Sequence, residues 1–264
     1  MERLQHEDME IVKIAVNPLF PVLSVYIYFI DGMLVDTGPR IQKRQLRRAF
    51  SSWNIERVAL THSHEDHTGM VSWIGKHTNA ELLCDEKMIA NARKKERLPW
   101  YRELFVGPRR AFSPAPFPKT IRTSNHTFYP IETPGHTQDH VCLLEPNKGW
   151  LFTGDLYITP YPKVFMKEES ISGYIDSINK LNSYDYHTVF CGHEGIIHDG
   201  KEMMNRKLAY LQRTRDEVVR MNRLGYTERE ISKRIFPKSV QLERVTFGSF
   251  SRMNLIRSCL EKPQ

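Results

Sequence analysis

A chain of 264 residues, 40% apolar, 11% aromatic and 26% charged, can bury one large domain or a domain with a sizeable appendage. The longest apolar run near its start, Val22 to Ile30, contains a serine and two tyrosines and is too short to cross a bilayer, while the acidic opening "MERLQHEDME" lacks the apolar core of a secretory signal. The net charge of +7 is uneven: residues 201–264 carry +8 and residues 93–122 carry +7, a pattern that points to an anionic substrate or partner, or to a solvated basic face.

Short strands lead the chain. "IVKIAV", "VLSVYIYFI" and "MLVDTG" are rich in Val, Ile and Tyr, and are broken by Asn17-Pro18 and by Asp31-Gly32, a hairpin turn signal. Ile41, Leu46, Ala49 and Phe50 stand near helical spacing in residues 41–50. "RVALT" reads as a strand that runs straight into "HSHEDH"; a helix start ("GMVSWIGKH") and another strand ("AELLCD") follow. In residues 93–122, Pro99, Pro108, Pro114, Pro116 and Pro118 exclude a continuous helix or a central strand. Trp100, Tyr101, Phe105, Phe112 and Phe117 are spread among those prolines, so the segment reads either as a basic, aromatic lid over a site or as an insertion packed on the body. As a lid it would offer Arg109 and Arg110 to an anionic substrate. Strands resume with "HTFYPIET", "VCLLEP", "WLFTGD" and "TVFCGH", with a helix, "SGYIDSINKLNSY", between the last two. A long helical pattern runs from Gly200 through Leu224, and "GYTEREISKRIFP" then pairs Thr227 with Glu230 as a capping box and stops at Pro237.

The density of imidazole in "THSHEDHTG" asks for a metal. On an extended segment His62 and His64 point the same way, and Asp66 and His67 follow on the next bend. His136 in "TPGHT", Asp155 in "FTGD" and His193 in "FCGH" each end a strand-like stretch beside glycine. Strand ends on one sheet edge converge, so seven potential ligands from four strand-end loops can build one site. Cys84, Cys142, Cys191 and Cys259 are scattered and form no CxxC pair; the reading is of a reducing, cytoplasmic setting, with Cys142 and Cys191 in the core. His140 reads as a neighbour of the site that is not a ligand, and His77, His126, His187 and His198 as surface or loop residues.

These residues, in this order over residues 11–200, resemble the metallo-β-lactamase fold superfamily of metal-dependent hydrolases. Its signature is HxHxDH followed by one His, one Asp and one His, commonly with a hairpin like "DGMLVDTG" upstream. The resemblance implies an α/β, αββα sandwich: two mixed β-sheets face to face with helices outside. It implies that His62, His64 and His136 hold one divalent ion, that Asp66, His67 and His193 hold a second, and that Asp155 bridges them. Zinc is the first expectation, and iron and manganese accept the same ligands. Asp36 would lie behind the histidine loop, or would cap its own strand. Two ions lower the pKa of a shared water from about 16 toward 7, giving a hydroxide that attacks an ester, thioester, lactone or phosphodiester. Asp66 can orient that nucleophile and accept its proton, and Tyr157 can reach a substrate oxyanion.

The complete ligand set resembles the glyoxalase-II-like hydrolases, lactonases and nucleases more than the β-lactam-hydrolysing branches. The tail resembles that of the branch with a C-terminal winged-helix-like appendage, although Glu194 replaces a glycine of its "GHGPVI-DG" phrase and "CGHEGI" keeps half of the glyoxalase II phrase "CGHEYT". The expected organisation is a catalytic domain over residues 1–200, with 93–122 as its lid, and a helical basic appendage over 201–264. The expected function is hydrolysis of a small, anionic ester, thioester or lactone, away from membranes. The alternatives are a metal-dependent single-strand RNA nuclease and, in another class, a nucleic-acid-binding module with a vestigial metal site.

Overall fold

A computed structural model describes residues 1–21, 23–95, 98–238 and 240–261. Val22 of the early apolar run, Glu96 and Arg97 of the insertion, Ser239, and residues 262–264 of the tail lie outside the described residues. Among the described residues the strands form two mixed sheets. In the first, β1 (Glu2–His6), β2 (Met9–Ala15), β3 (Ser24–Ile30), β4 (Met33–Val35), β5 (Arg57–Ala59), β6 (Glu81–Cys84) and β7 (Ala115–Pro116) lie side by side in chain order. Pairing is antiparallel up to β4 and parallel from there to β7. The second sheet is also in chain order: β8 (Ile121–Arg122), β9 (Thr127–Glu132), β10 (Val141–Glu145), β11 (Trp150–Gly154), β12 (Thr188–Cys191) and β13 (Gly195–Ile197). Only its β11–β12 pair is parallel.

The strand pattern explains the layers. Along β2, Met9 and Ile11 turn into the space between the sheets, while Val12 and Ile14 turn outward, and all four are buried. Between the sheets they meet Tyr28, Phe128, Trp150, Phe152 and Phe190. The outer face of the first sheet is covered by α1 (Lys43–Phe50), α3 (Val71–His77) and α4 (Glu86–Ala92), and α2 (Glu65–Thr68) is a single turn at the sheet edge. The outer face of the second sheet carries α6 (Ile171–Leu181) and α7 (Gly200–Arg223). The arrangement is the αββα sandwich expected. Asp31 and Gly32 take φ values of 46° and 80°, the doubly left-handed turn that suits a two-residue hairpin.

The structure adds two elements to these readings and corrects the placing of His126. "MERLQHEDME" carries no apolar alternation, yet it forms β1 and the start of β2. β1 is an exposed edge strand held by pairing rather than by burial. Pro99 and Pro108 bound a helix, α5 (Trp100–Val106), because proline at a helix start costs no hydrogen bond. His126 is buried, stacked on Trp150 with ring centroids 5.9 Å apart and bonded to Asp8 at 2.8 Å.

The tail continues from α7 into α8 (Glu228–Ile235), α9 (Gln241–Val245) and α10 (Arg252–Leu260). The capping box of Thr227 and Glu230 is formed, both bonds present. Among the described residues beyond Gly200 there is no strand to serve as a wing. Met204, Leu211, Ile231, Leu255 and Ile256 instead share one buried core with β10, β11, β12 and α6. Cys84, Cys142, Cys191 and Cys259 are free and buried. No helix among the described residues is long and apolar enough to cross a membrane.

Candidate metal centre

The C-terminal ends of β4, β5, β9, β11 and β12 lie at one edge of the sandwich, and the polar residues that follow them converge there. Two hydrogen bonds tie the sheets together at this edge: Val141 N donates to Thr61 O at 2.8 Å, and Tyr26 N to Gly192 O at 2.8 Å. Gly192 is required by the close approach, since a Cβ on it would stand 2.7 Å from His67 Cε1 and 2.8 Å from Asp155 Oδ1.

Two groups of side chains able to hold a metal ion result: His62, His64, His136 and Asp155 in one, and Asp66, His67 and His193 in the other. His64 Nδ1 lies 3.1 Å from His62 Nε2 and 2.9 Å from His136 Nε2. Such spacing is close to the edge of a tetrahedron with metal–nitrogen bonds of about 2.0–2.1 Å. Asp155 stands between the groups. Its Oδ2 is 3.4 Å from His136 Nε2, 3.9 Å from His62 Nε2 and 3.1 Å from His193 Nε2, and its Oδ1 is 3.3 Å from His67 Nε2.

The outer ring nitrogens are held by fixed oxygens, which sets the tautomers. His62 Nδ1 is 3.0 Å from Thr61 Oγ1, whose hydroxyl donates to Asp36 Oδ2 at 2.7 Å. His67 Nδ1 reaches Asp36 Oδ2 at 2.7 Å, His136 Nδ1 reaches Glu169 Oε1 at 3.0 Å, and His193 Nδ1 reaches Ser24 O at 2.7 Å. Each of these four rings then turns Nε2 inward, whereas His64 turns Nδ1 inward and leaves Nε2 facing Glu168 at 3.7 Å. Against burial, which would lower them, Asp155 holds His67 and His193 above the usual histidine range, the proton standing where a metal ion would. Burial, followed by the neighbouring His67, holds His62 well below the usual histidine range, so that ring is neutral. Burial alone would raise the Asp155 carboxyl, but His193 and His67 outweigh it and keep the group ionised.

The residues fit a metal on a separate ground. His67 Nε2 and Asp155 Oδ1 are buried and make no hydrogen bond. They face each other at 3.3 Å, and a cation between the two atoms would satisfy both.

His140 stays outside both groups. Its Nε2 accepts from Asp155 N at 3.2 Å and its Nδ1 faces Thr133 Oγ1 at 2.9 Å. Burial first, then His136, pushes it down to about 3, so it fixes the Asp155 backbone as a neutral ring. Tyr157 is 3% exposed, inside the core beneath the second sheet. Burial pushes its phenol up to about 12. Arg109 is also buried, its guanidinium donating to Asn91 O and Ala92 O at 3.2 and 3.3 Å and lying over Phe112. Arg110 is exposed and adds to the positive field on Arg40.

The insertion reaches the centre through a different arginine. Arg102 Nη2, on α5, donates to Glu65 Oε2 at 2.8 Å. Reading Pro99 and Pro108 as the bounds of a helix was the available signal for it. Glu169, which orients His136, and Ser24, which orients His193, gave no signal in the sequence.

A family model described as the metallo-beta-lactamase superfamily matches residues 20–193. The chain belongs to that superfamily. It is a hydrolase of the metallo-beta-lactamase fold. A probable metallo-hydrolase of Bacillus subtilis is 25% identical over 89% of this chain and 87% of its own length. A hydroxyacylglutathione hydrolase of Rhodospirillum rubrum is 33% identical over 64% of this chain and 62% of its own. An atrochrysone carboxyl ACP thioesterase of Aspergillus fumigatus is 25% identical over 77% of this chain, which spans only 45% of that protein. Among solved structures, a metallo-beta-lactamase family protein from Thermus thermophilus superposes with a TM-score of 0.68 at 18% identity, covering 95% of this chain and 90% of that one. At that identity the likeness speaks to the fold alone.

Proposed function

We propose that this superfamily member is a binuclear hydrolase of a small ester, thioester or lactone. The observation that carries the reading is the place of Asp155, whose Oδ2 faces His136 of the first group and His193 of the second while its Oδ1 faces His67 of the second. His62, His64 and His136 would hold one ion, Asp66, His67 and His193 the other, and Asp155 both. Two bound divalent ions supply Lewis acidity and a lowered pKa for water at neutral pH. Zinc is the first candidate for His and Asp donors, with iron and manganese next.

The chain's own residues do the rest. Asp36, Glu169 and the Ser24 carbonyl hold His67, His136 and His193 in orientation. Asp66, the partly exposed carboxylate, is 3.6 Å from His193 Nε2 and is the group placed to accept a proton at Oδ2. The relatives named as a thioesterase and a hydroxyacylglutathione hydrolase support a thioester. The net charge of +7 supports an anionic substrate, and four free, buried cysteines support a cytoplasmic setting. Residues 1–200 would form the catalytic unit and the helices of 201–264 its cover.

Metal-loaded protein assayed against acyl-glutathione, acyl-CoA, lactones and single-stranded RNA tests the reading. Turnover of a thioester or lactone that Asp66→Ala abolishes is expected. Cleavage of RNA alone would replace it with the nuclease.

A further inference from the structure

We infer that Arg102 is a positioning residue for the metal centre: from the inserted helix α5 it fixes the outer side of α2, the turn that carries Asp66 and His67. The inference rests on the two-ion reading of the site.

The turn needs outside support. α2 is four residues long and has no side-chain cap at its start, and a helix of that length does not hold itself. On its inner side the support is plain. Thr37 N and Thr37 Oγ1 both donate to His67 O, at 2.7 and 2.8 Å, and Asp36 holds the His67 ring. Among the described residues no hydrogen bond on that side is made to the Asp66 side chain, whose ionic neighbour is His193 Nε2 at 3.6 Å, a distance a ligand would span through a shared ion rather than directly.

On the outer side, Glu65 comes immediately before Asp66. Its side chain is 2% exposed, and Arg102, 28% exposed, donates to it at 2.8 Å. Asp66 and Glu168 also stand in the field of the Arg102 cation, and Glu168 in turn faces His64 Nε2 at 3.7 Å. One guanidinium thus sits among the carboxylates beside two expected ligands, one for each ion, with its direct bond to the turn bearing Asp66. With three carboxylates around it, Arg102 is a tie between segments rather than an anion receptor. α5 is itself braced, since Asn17 Nδ2 donates to Phe105 O at 2.9 Å and Tyr101 bonds Ser249 through their hydroxyls. The tie therefore has a fixed end.

The test compares full-length wild type, Arg102→Ala and Arg102→Lys, loaded with zinc. It measures ions per chain, the affinity of each ion by competition with a chelating dye, and the melting temperature of the metal-free proteins. Arg102→Ala should hold one ion as wild type does and the other about 10- to 100-fold more weakly, the usual effect of losing a group that orients a ligand. Loss of the pair with the buried Glu65 should lower its metal-free melting temperature somewhat, the unequal weakening of the two ions being the signature, and Arg102→Lys should recover part of both losses. A wild type with two ions, neither weakened by Arg102→Ala, rejects this role for Arg102 and leaves the two-ion reading standing. Equal weakening of both ions also rejects it, in favour of general support of the fold. A wild type that takes up fewer than two ions rejects the reading of the site itself.

Discussion

Asp36 holds three partners at once from a backbone that few residues adopt. Its φ is 57°, in the left-handed region, and its carboxylate takes Thr61 N at 2.8 Å, Thr61 Oγ1 at 2.7 Å and His67 Nδ1 at 2.7 Å. A left-handed aspartate stores strain of the kind found at functional sites, and here three bonds to the metal loop hold it in place. Asp36→Asn keeps the shape and removes the charge opposite His67. Metal affinity should fall about 10- to 100-fold while the fold survives. Equal zinc affinity in the two proteins, by competition with a chelating dye, would show that Asp36 only caps its strand.

Asp155 offers a sharper count. Wild type should hold two ions per chain, and Asp155→Ala, which removes the carboxylate of the first group that also faces His67 and His193, should hold one at most. Elemental analysis of protein purified without chelator decides it. Wild type free of transition metal, or a variant that keeps both ions, would defeat the binuclear reading.

The convergence of the two side-chain groups was legible because each member has rare chemistry and stands just past a strand, and strand ends can be read from short apolar runs. His62, His64, His136, Asp155 and His193 are all of this kind. The sandwich followed from the same runs. What stayed hidden depends on contacts distant in sequence. Glu169 meets His136 from 33 residues away, and Ser24 meets His193 through a backbone carbonyl, which no residue type announces. The arginines of the insertion could not be told apart for a related reason. Arg109 and Arg110 look alike in the sequence, but only tertiary packing buries the first and exposes the second, and puts Arg102 on the metal loop.

Those arginines make a prediction of their own. Arg109→Ala removes a buried donor from the carbonyls of Asn91 and Ala92, and should cost about 1–3 kcal/mol of stability. Arg110→Ala, on the surface, should stay within about 0.5 kcal/mol of wild type. Denaturant titration measures both. Unchanged stability in Arg109→Ala, with a raised KM for an anionic substrate, would return Arg109 to the substrate pocket.

Lys207 should make stability depend on pH. Its ammonium is buried, donates to Leu156 O at 2.6 Å and lies 4.3 Å from the centre of the Tyr174 ring. Burial pulls it down from 10.5 to about 8, with Glu169 opposing in part. The folded state therefore releases this proton before the unfolded state does. The cost of burying the charge is full below pH 8 and fades as pH rises from about 8 to 10.5. Relative to Lys207→Met, metal-free wild type should gain about 1.5 kcal/mol between pH 8 and 9.5. Parallel pH profiles for the two proteins would show that the lysine is solvated in the folded state.

The tail's helices reach the metal centre through a serine. Ser258, on α10, accepts from Ile171 N at 2.8 Å and donates to Glu169 O at 3.0 Å, and Glu169 orients His136. Around it Leu255 and Ile256 are fully buried in the core shared with the second sheet. Leu255→Ala should cost about 2–5 kcal/mol, as large-to-small changes in packed cores do. Ser258→Ala should cost less stability but lower metal affinity, because the segment carrying Glu169 loses its tether. RNA affinity of the intact protein should be weak and should fall steeply with salt, as expected for a few phosphate contacts. Denaturation curves, dye competition and RNA binding at two salt concentrations separate the possibilities. Tight RNA binding at moderate salt, with metal affinity indifferent to Ser258→Ala, would give the tail to nucleic acid and detach it from the site.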